Sequence, residues 1–208
     1  PFLLLSCPIK KIYAPRFAKA LIEKKLQERR RLANTQIIEI DEDSRIETEH
    51  FRIGFFNTVH SIPDTLGILI NTPNGRIVET GDFKFDLTPI GPVANLNKIA
   101  RIGDEGVTLL LSDSTNALIP GFSSSESVVD EALSEIFSEN KSSRIILATF
   151  ASNIYRLTHI VETCKENNRK ILATPKYLND FIVNNRGRFA FIKNFGVCLI
   201  LGKNNDFL

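Results

Sequence analysis

Two side chains that suit metal chemistry flank a predicted β-hairpin. His60 precedes an apolar run at 67–71, and Asp82 follows a second run at 76–79. The turn composition between the runs, Thr-Pro-Asn-Gly at 72–75, predicts that the two strands fold back on each other. The flanks then meet at one edge of the sheet, where an imidazole and a carboxylate can share a metal ion. Each residue alone also fits a simpler role, His60 as a hydrogen-bonded turn residue and Asp82 as a turn residue or a cap.

The sequence offers few further ligands for such a metal. Catalytic zinc sites commonly use three or more protein ligands, and two-metal sites need more. His50 lies in a polar segment and His159 in an amphipathic helix pattern, and neither has metal-like spacing to His60. Asp64 and Asp86 could orient the histidine ring as acceptors or serve as plain turn aspartates. The hairpin pair is therefore predicted to be an incomplete metal site.

A second group of polar residues follows a predicted strand. Ser152 and Asn153 come directly after the strand at 145–150 and open a helix. Backbone N–H groups and the helix dipole favour an anion at such a start, and the two side chains would add donors for a phosphate. Ordinary N-capping uses the same residue types, so both interpretations stay open. Asp113 follows another apolar run, at 107–111, and could orient a ligand-binding histidine at an analogous edge.

The pattern of apolar residues predicts an α/β protein in which strands and helices alternate. Strands are expected at 10–13, 35–40, 51–58, 67–71, 76–79, 107–111, 144–150, 170–173 and 197–201. Helices are expected after Pro15 to residue 26, from a capping box at Ser123 and Glu126 to residue 137, at 153–166 and at 177–184. The run at 107–111 has the continuous apolar character of a strand buried on both faces.

A change of pattern near residue 120 divides the chain into two predicted parts. The hairpins lie within 1–120, and 121–208 has the order strand, helix, strand, helix, strand. Such an order implies a parallel sheet, because each helix returns the chain to the same end of the sheet.

The composition is that of a soluble globular protein. Of the 208 residues, 43% are hydrophobic and 24% are charged, the net charge is +2, and no apolar run approaches the roughly 20 residues that cross a bilayer. Nothing in the sequence resembles a secretory signal. The three cysteines, Cys7, Cys164 and Cys198, are widely spaced, which is typical of buried thiols in a protein of the reducing cytoplasm. The basic stretch at 24–31 fits a solvated helix face or a surface that guides a nucleic-acid backbone. Because the chain starts with Pro and holds no Met, we expect a piece of a longer protein or a processed N-terminus.

Four short motifs occur in an order that resembles one known family. They are His-Ser-Ile-Pro-Asp at 60–64, Thr-Gly-Asp-Phe-Lys-Phe-Asp at 80–86, Leu-Ser-Asp-Ser-Thr-Asn at 111–116 and Ala-Thr-Phe-Ala-Ser-Asn at 148–153. Together they resemble the ribonuclease J family, a bacterial β-CASP branch of the metallo-β-lactamase fold. The resemblance runs from about residue 1 to residue 176. It implies a partial metallo-β-lactamase-type sandwich within 1–120, followed within 121–208 by the start of a parallel β-CASP segment.

The resemblance implies roles for the residues singled out above. His60 corresponds to the histidine of the family's third motif, a ligand of one zinc ion. Asp82 corresponds to the aspartate of the fourth motif, which bridges two zinc ions. Asp113 corresponds to the acidic first motif of the β-CASP region, which orients a histidine that this sequence lacks. Ser152 and Asn153 lie where the family binds the phosphate of the terminal nucleotide.

The activity that the resemblance implies is metal-dependent hydrolysis of RNA. Members of the family act as 5′-to-3′ exonucleases on RNA with a 5′-monophosphate and also cleave internally, using water activated between two zinc ions. The implied partner is therefore RNA, with no membrane, and the implied cofactor is two zinc ions, with manganese as the alternative. The complete protein is expected to form homo-oligomers or hetero-oligomers with a paralogue.

Several family features are missing from the sequence. The His-x-His-x-Asp-His signature is expected just upstream of residue 1, and the later β-CASP histidines and the C-terminal domain are also absent. Tyr155 stands where relatives often have histidine. We therefore expect this chain to be inactive as a nuclease by itself. Two alternatives remain: another β-CASP nuclease that acts on DNA, which the motifs disfavour, and a non-catalytic RNA-binding or scaffolding paralogue.

Overall fold

Ten strands and four helices make up the part of the chain that the structure describes. The structure is a computed structural model, and it describes residues 9–28, 35–150, 152–174 and 196–202. These residues divide into two compact units by their contacts. The first unit holds the chain up to His60, Asp64–Phe85 and Pro92–Ser123, and the second holds Ser61–Pro63, Asp86–Gly91 and the chain from Ser124 onward.

The first unit begins with a strand, a helix and a strand. They are β1 (Lys11–Pro15), α1 (Arg16–Glu28) and β2 (Gln36–Ile40). β1 and β2 pair in parallel, with Ile12 opposite Ile37, and a helix is the usual connection for such a pair. Phe17 and Leu26 of α1 are buried. All three elements lie where the sequence predicts them.

A five-stranded sheet forms the centre of the first unit, in the order β3-β4-β5-β6-β7. Its strands are β3 (Arg45–Glu47), β4 (Arg52–Asn57), β5 (Leu66–Thr72), β6 (Gly75–Glu79) and β7 (Leu109–Leu111). Neighbouring strands are antiparallel except β6 and β7, which are parallel. Pro73 and Asn74 form the turn between β5 and β6, and Thr72 pairs with Gly75, whose φ of 136° suits glycine. The predicted hairpin is confirmed.

The helix α2 (Leu96–Asp104) covers part of the first unit's core. Asn95 caps its first turn, and the side-chain oxygen of Asn95 accepts the Lys98 N–H at 3.1 Å. The core consists of Phe56, Val78 and Ile102, with Leu69 and Ile99 packed against it. α2 is absent from the predicted elements. Its 9 residues make only about 2.5 turns, so the apolar pattern repeats too few times to indicate a helix.

Gly67 lies where the sheet leaves no room for a side chain. It faces Phe56 across the β4–β5 pair, and a Cβ atom at residue 67 would lie 2.1 Å from Cζ of that buried ring. Because the core holds the ring in place, we expect Gly67→Ala to lower the free energy of unfolding of the first unit by about 1–3 kcal/mol, as measured by urea denaturation. Gly103→Ala in α2 is the control, because a Cβ there meets nothing within 4 Å. Equal stability of the two variants would contradict the packing argument.

β7 is exposed, which contradicts the prediction of a strand buried on both faces. Leu109, Leu110 and Leu111 are 47%, 59% and 49% exposed. Within the described residues β7 pairs with β6 alone, so it lies at the edge of the sheet. The strand itself lies within the predicted range 107–111, but its burial needs neighbours that the described part of the chain does not provide.

The second unit contains two helices and a three-stranded sheet. Its elements are α3 (Glu126–Glu139), β8 (Ile145–Phe150), α4 (Ile154–Glu166), β9 (Lys170–Thr174) and β10 (Gly196–Gly202). β10 lies between β8 and β9 and is antiparallel to both, so the prediction of a parallel sheet is wrong for β10. The alternation of strands and helices in the sequence does not by itself set the direction of the last strand. The helix predicted at 177–184 lies outside the described residues.

The second unit has its own core between its helices and sheet. Its largest fully buried side chains among the described residues are Phe137, Leu157, Ile160 and Cys164. Burial raises the pKa of the Cys164 thiol to about 12, so the thiol stays protonated, and the prediction of a buried thiol is confirmed for this cysteine. Cys7 and the side chain of Cys198 lie outside the described residues. No described helix is long and apolar enough to cross a membrane.

Candidate metal and phosphate sites

His60 and Asp82 lie together beyond the open end of the β5–β6 hairpin, where the sequence places them. A backbone hydrogen bond from Lys84 N–H to Val59 O, 2.8 Å long, draws the two flanks together. His60 Nε2 lies 3.7 Å from Asp82 Oδ2. The side chain of Asp82 is 74% exposed and that of His60 is 30% exposed, so both remain accessible to a ligand from solvent.

The spacing of this pair suits two ligands of one metal ion. Two atoms bound to a tetrahedral zinc at about 2.0–2.2 Å lie roughly 3.3–3.6 Å apart. The observed 3.7 Å needs only a small side-chain adjustment to reach this geometry. Among the described residues, no group of three or more His, Cys, Asp or Glu side chains is placed to hold a metal. The pair therefore fits two positions of a zinc site and does not complete one.

Asp113 lies at the same edge, in the loop that follows β7. Its backbone N–H donates to the Thr80 hydroxyl at 3.0 Å, and the Thr80 N–H donates to Leu111 O at 3.0 Å. Its carboxylate accepts the backbone N–H and the hydroxyl of Thr115 at 2.9 and 2.6 Å. The Thr115 hydroxyl lowers the pKa of Asp113 most, the Thr115 N–H adds to this, and His60 contributes in the same direction. Asp113 is thus held as an ionised carboxylate close to His60.

Thr80 and Thr115 are residues of the candidate site that the sequence did not reveal. A local signal for Thr115 exists, because an aspartate with a threonine two residues later is the pattern of an Asx turn. Thr80 carries no such signal, since its partner Asp113 is 33 residues away.

The two aspartates considered as supports for His60 have other partners. Asp64 has a left-handed backbone, with φ of 59°, and accepts the N–H of Phe17 at the start of α1 at 3.3 Å. Asp86 belongs to the second unit and is 7% exposed. It accepts the N–H groups of Thr88 and Glu126 at 3.0 and 3.1 Å. These contacts agree with the alternative of turn and cap aspartates.

The other two histidines take part in local contacts. His159 Nδ1 lies 3.5 Å from Asp130 Oδ2, and its Nε2 lies 3.3 Å from the Thr163 hydroxyl. Burial raises the pKa of Asp130, and His159 opposes that shift. His50 is exposed and lies 3.9 Å from Glu49. In the described part of the chain neither belongs to a metal-binding group.

Ser152 and Asn153 lie at the start of α4 and differ in their contacts and exposure. Asn153 is the N-cap residue, and its side-chain oxygen accepts the Arg156 N–H at 3.1 Å. The side-chain amide of Asn153 donates to Glu126 at 3.3 Å, and the residue is 8% exposed. Ser152 is exposed. Capping therefore accounts for these contacts of Asn153, and Ser152 is the accessible residue of the pair.

Glu126 and Arg156 form an ion pair that the sequence did not reveal. Oε1 of Glu126 lies 2.7 Å from Nε and 2.6 Å from Nη2 of Arg156. The predicted capping box is wrong, because Ser125 and not Ser123 is the N-cap of α3, and Glu126 is its first residue. The segment offers three consecutive serines as caps, so the spacing to Glu126 does not select one of them.

Residues 142–199 match the family model described as Ribonuclease J, beta-CASP domain. Ribonuclease J 1 of Streptococcus pyogenes is 46% identical over 184 residues, which is 88% of this chain and 32% of that relative. Ribonuclease J of Mycoplasma pneumoniae is 40% identical over 179 residues, 86% of this chain and 31% of the relative. Ribonuclease J2 of Bacillus subtilis is 40% identical over 179 residues, 86% of this chain and 32% of the relative. The chain spans about a third of the length of these curated relatives.

A solved structure resembles the fold of the chain. The crystal structure of a protein of unknown function from Enterococcus faecalis V583 matches with a TM-score of 0.56 and 16% sequence identity. The match covers 74% of this chain and 40% of that chain. At this identity the likeness concerns the fold alone.

Proposed function

Because this chain belongs to the ribonuclease J family, we propose that it is part of a zinc-dependent ribonuclease that hydrolyses phosphodiester bonds in RNA. The observation that carries the proposal is the 3.7 Å approach of His60 Nε2 to Asp82 Oδ2. Both residues lie in motifs that resemble the family's metal ligands. In this proposal the first unit is part of a metallo-β-lactamase sandwich, and the second is the start of a β-CASP domain.

In this proposal His60 would hold one zinc ion, and Asp82 would be a ligand of that ion and of a second one. The remaining ligands would come from a His-x-His-x-Asp-His motif, which does not occur in this sequence. Zinc at such a site supplies positive charge that stabilises the charge developing on a phosphodiester. Imidazole and carboxylate ligands also suit manganese, so metal analysis must decide between the two.

Asp113 is proposed to orient a histidine of the β-CASP domain. The hydrogen bonds from Thr115 lower its pKa and keep it ionised. An ionised carboxylate accepts an imidazole N–H and thereby selects the tautomer and the direction of the ring. Asp113 would therefore act on the substrate through that histidine and not by direct contact.

Ser152 and Asn153 are proposed to receive the 5′-monophosphate of RNA during 5′-to-3′ exonuclease action. The start of α4 carries the positive end of a helix dipole, which favours a phosphate. Ser152 is exposed and can donate its hydroxyl, while Asn153 holds the first turn of the helix. Endonuclease action would use the same metal site without this phosphate contact.

Further proposals concern the complete protein. We propose that it acts in the cytoplasm on RNA and forms homo-oligomers or hetero-oligomers with a paralogue. A non-catalytic RNA-binding or scaffolding role is the second candidate.

The isolated 208-residue chain is expected to bind zinc weakly and to leave 5′-monophosphorylated RNA intact, because two protein ligands hold a zinc ion poorly. In a zinc titration followed by imidazole NMR signals, His60 should respond before His50 and His159. His60→Ala should remove this first response, and His50→Ala is the matched control. Tight stoichiometric zinc or clear RNA digestion would show that the site is complete. A titration that never affects His60 would contradict its assignment as a ligand.

A further inference from the structure

Glu126 connects the starts of α3 and α4 within the second unit. Its Oε1 accepts hydrogen bonds from Asn153 Nδ2 at 3.3 Å and from Arg156 Nε at 2.7 Å. Nη2 of the same guanidinium lies 2.6 Å from this oxygen. The side chains of Glu126 and Arg156 are 15% and 26% exposed, so water screens the pair less than it screens a surface salt bridge.

The Glu126 carboxylate determines the orientation of the Asn153 side-chain amide. An ionised carboxylate only accepts hydrogen bonds, so the NH2 group of Asn153 must face it. The amide oxygen of Asn153 is then directed to the helix, where it accepts the Arg156 N–H at 3.1 Å and caps α4. The same carboxylate holds the guanidinium of Arg156. Glu126 thus constrains the side chain of Asn153, which caps α4, and that of Arg156 in the first turn of α4.

By its charge alone, Glu126 would weaken the binding of an anion at the start of α4. A carboxylate near the start of a helix repels a phosphate there, and the guanidinium of Arg156 offsets that repulsion. If electrostatic attraction decided the affinity, removal of Glu126 would strengthen phosphate binding. If the shape of the turn decides it, removal of Glu126 weakens binding. The two explanations therefore predict changes of opposite sign.

We propose that Glu126 is a positioning residue that, through Asn153 and Arg156, holds the start of α4 in the shape that receives the terminal phosphate of RNA. This inference rests on the proposed phosphate-binding role of Ser152 and Asn153. Glu126 does not itself contact the phosphate.

Binding of two RNA oligonucleotides that differ only at the 5′ end tests this role. One carries a 5′-monophosphate and the other a 5′-hydroxyl, and fluorescence anisotropy gives both dissociation constants with the 208-residue chain. Their ratio reports the phosphate contact, because the rest of the RNA is identical. Glu126→Ala is expected to reduce this preference about tenfold, which corresponds to roughly 1.4 kcal/mol. Glu131→Ala removes a negative charge from an exposed position of α3 and should leave the ratio unchanged.

Glu126→Gln separates positioning from folding. It keeps the size of the side chain and a carbonyl oxygen that can accept from Asn153, so we expect a smaller loss of preference, about threefold. Circular dichroism and thermal unfolding are recorded for each variant. If both Glu126 variants lose stability but keep the parent ratio, the residue has a merely structural role and the proposal is overturned. A rise of the ratio in Glu126→Ala also overturns it, because charge would then outweigh shape.

Ser152→Ala distinguishes failure of this inference from failure of the proposed function. Loss of preference in both Ser152→Ala and Glu126→Ala supports the positioning role. Loss in Ser152→Ala alone leaves the phosphate site in place and removes Glu126 from it. If the unsubstituted chain binds both RNAs equally, the phosphate site at the start of α4 is wrong, and the positioning role is wrong with it.

Discussion

Replacement of Asp82 by alanine is expected to abolish RNA cleavage by a complete protein that carries this sequence together with the family's histidine motif. Asp82 Oδ2 lies 3.7 Å from His60 Nε2, and the Asp82 carboxylate would be a ligand shared by two zinc ions. Its loss would remove one ligand from each ion. We therefore expect kcat to fall by at least about a thousandfold, or roughly 4 kcal/mol of transition-state stabilisation. Cleavage of 5′-monophosphorylated RNA and the zinc content of the purified protein are the two measurements.

The loss of activity should not come from unfolding. The Asp82 side chain is 74% exposed, so its removal leaves no cavity and buries no unpaired group. Thermal unfolding of Asp82→Ala without added metal should match that of the parent. Asp104→Ala, at an exposed position at the end of α2, is the matched control and should cleave normally. Parental cleavage and full zinc content in Asp82→Ala would exclude Asp82 from the metal site.

The meeting of His60 and Asp82 is predictable because it depends on local sequence. A two-residue turn places Thr72 opposite Gly75, and this pairing sets the register of the whole hairpin. Once the register is set, the residues before β5 and after β6 must come to the same end of the sheet. The position of the candidate metal pair therefore follows from a few residues around 72–75.

The contacts that support these residues are not predictable in the same way. Asp113 and Thr80 are 33 residues apart, and Glu126 and Arg156 are 30 apart. Apolar periodicity indicates which face of a strand or helix is buried, but it does not specify which polar side chains of separate elements meet. Such partners depend on the packing of the complete unit. The sequence therefore identifies the candidate ligands and leaves their supports unassigned.

Two of the errors in the fold, the burial of β7 and the direction of β10, have a related cause. The apolar run of β7 indicates that the strand can be buried, but burial also requires neighbours on both faces, and the described residues leave β7 at a sheet edge. The direction of β10 depends on the connection that precedes it and not on its own residues. In both cases the local pattern correctly predicts a strand and carries no information about its surroundings.

Asp86 lies four residues after Asp82 in the same motif. Its replacement is expected to lower the stability of the protein, whereas replacement of Asp82 is expected to abolish cleavage and leave stability unchanged. It is 7% exposed and accepts the N–H groups of Thr88 and Glu126 at 3.0 and 3.1 Å. Asp86→Ala removes two hydrogen bonds to a charged acceptor, one of them at the first residue of α3. We therefore expect the free energy of unfolding of the second unit to fall by about 2–4 kcal/mol. Urea denaturation measures the loss, and amide hydrogen exchange should locate it at the start of α3.

The pair of substitutions separates chemistry from structure within one motif. Asp86→Asn keeps one acceptor oxygen, so it should lose less stability than Asp86→Ala, whereas Asp82→Ala should change the free energy of unfolding by no more than about 0.5 kcal/mol. If Asp86→Ala instead keeps parental stability and loses cleavage, Asp86 acts at the metal site, as the support for the His60 ring that the sequence also allowed. Asp86 is buried and accepts hydrogen bonds from two backbone N–H groups in place of water, whereas Asp82 is exposed. We therefore expect stability to depend on Asp86 and cleavage to depend on Asp82.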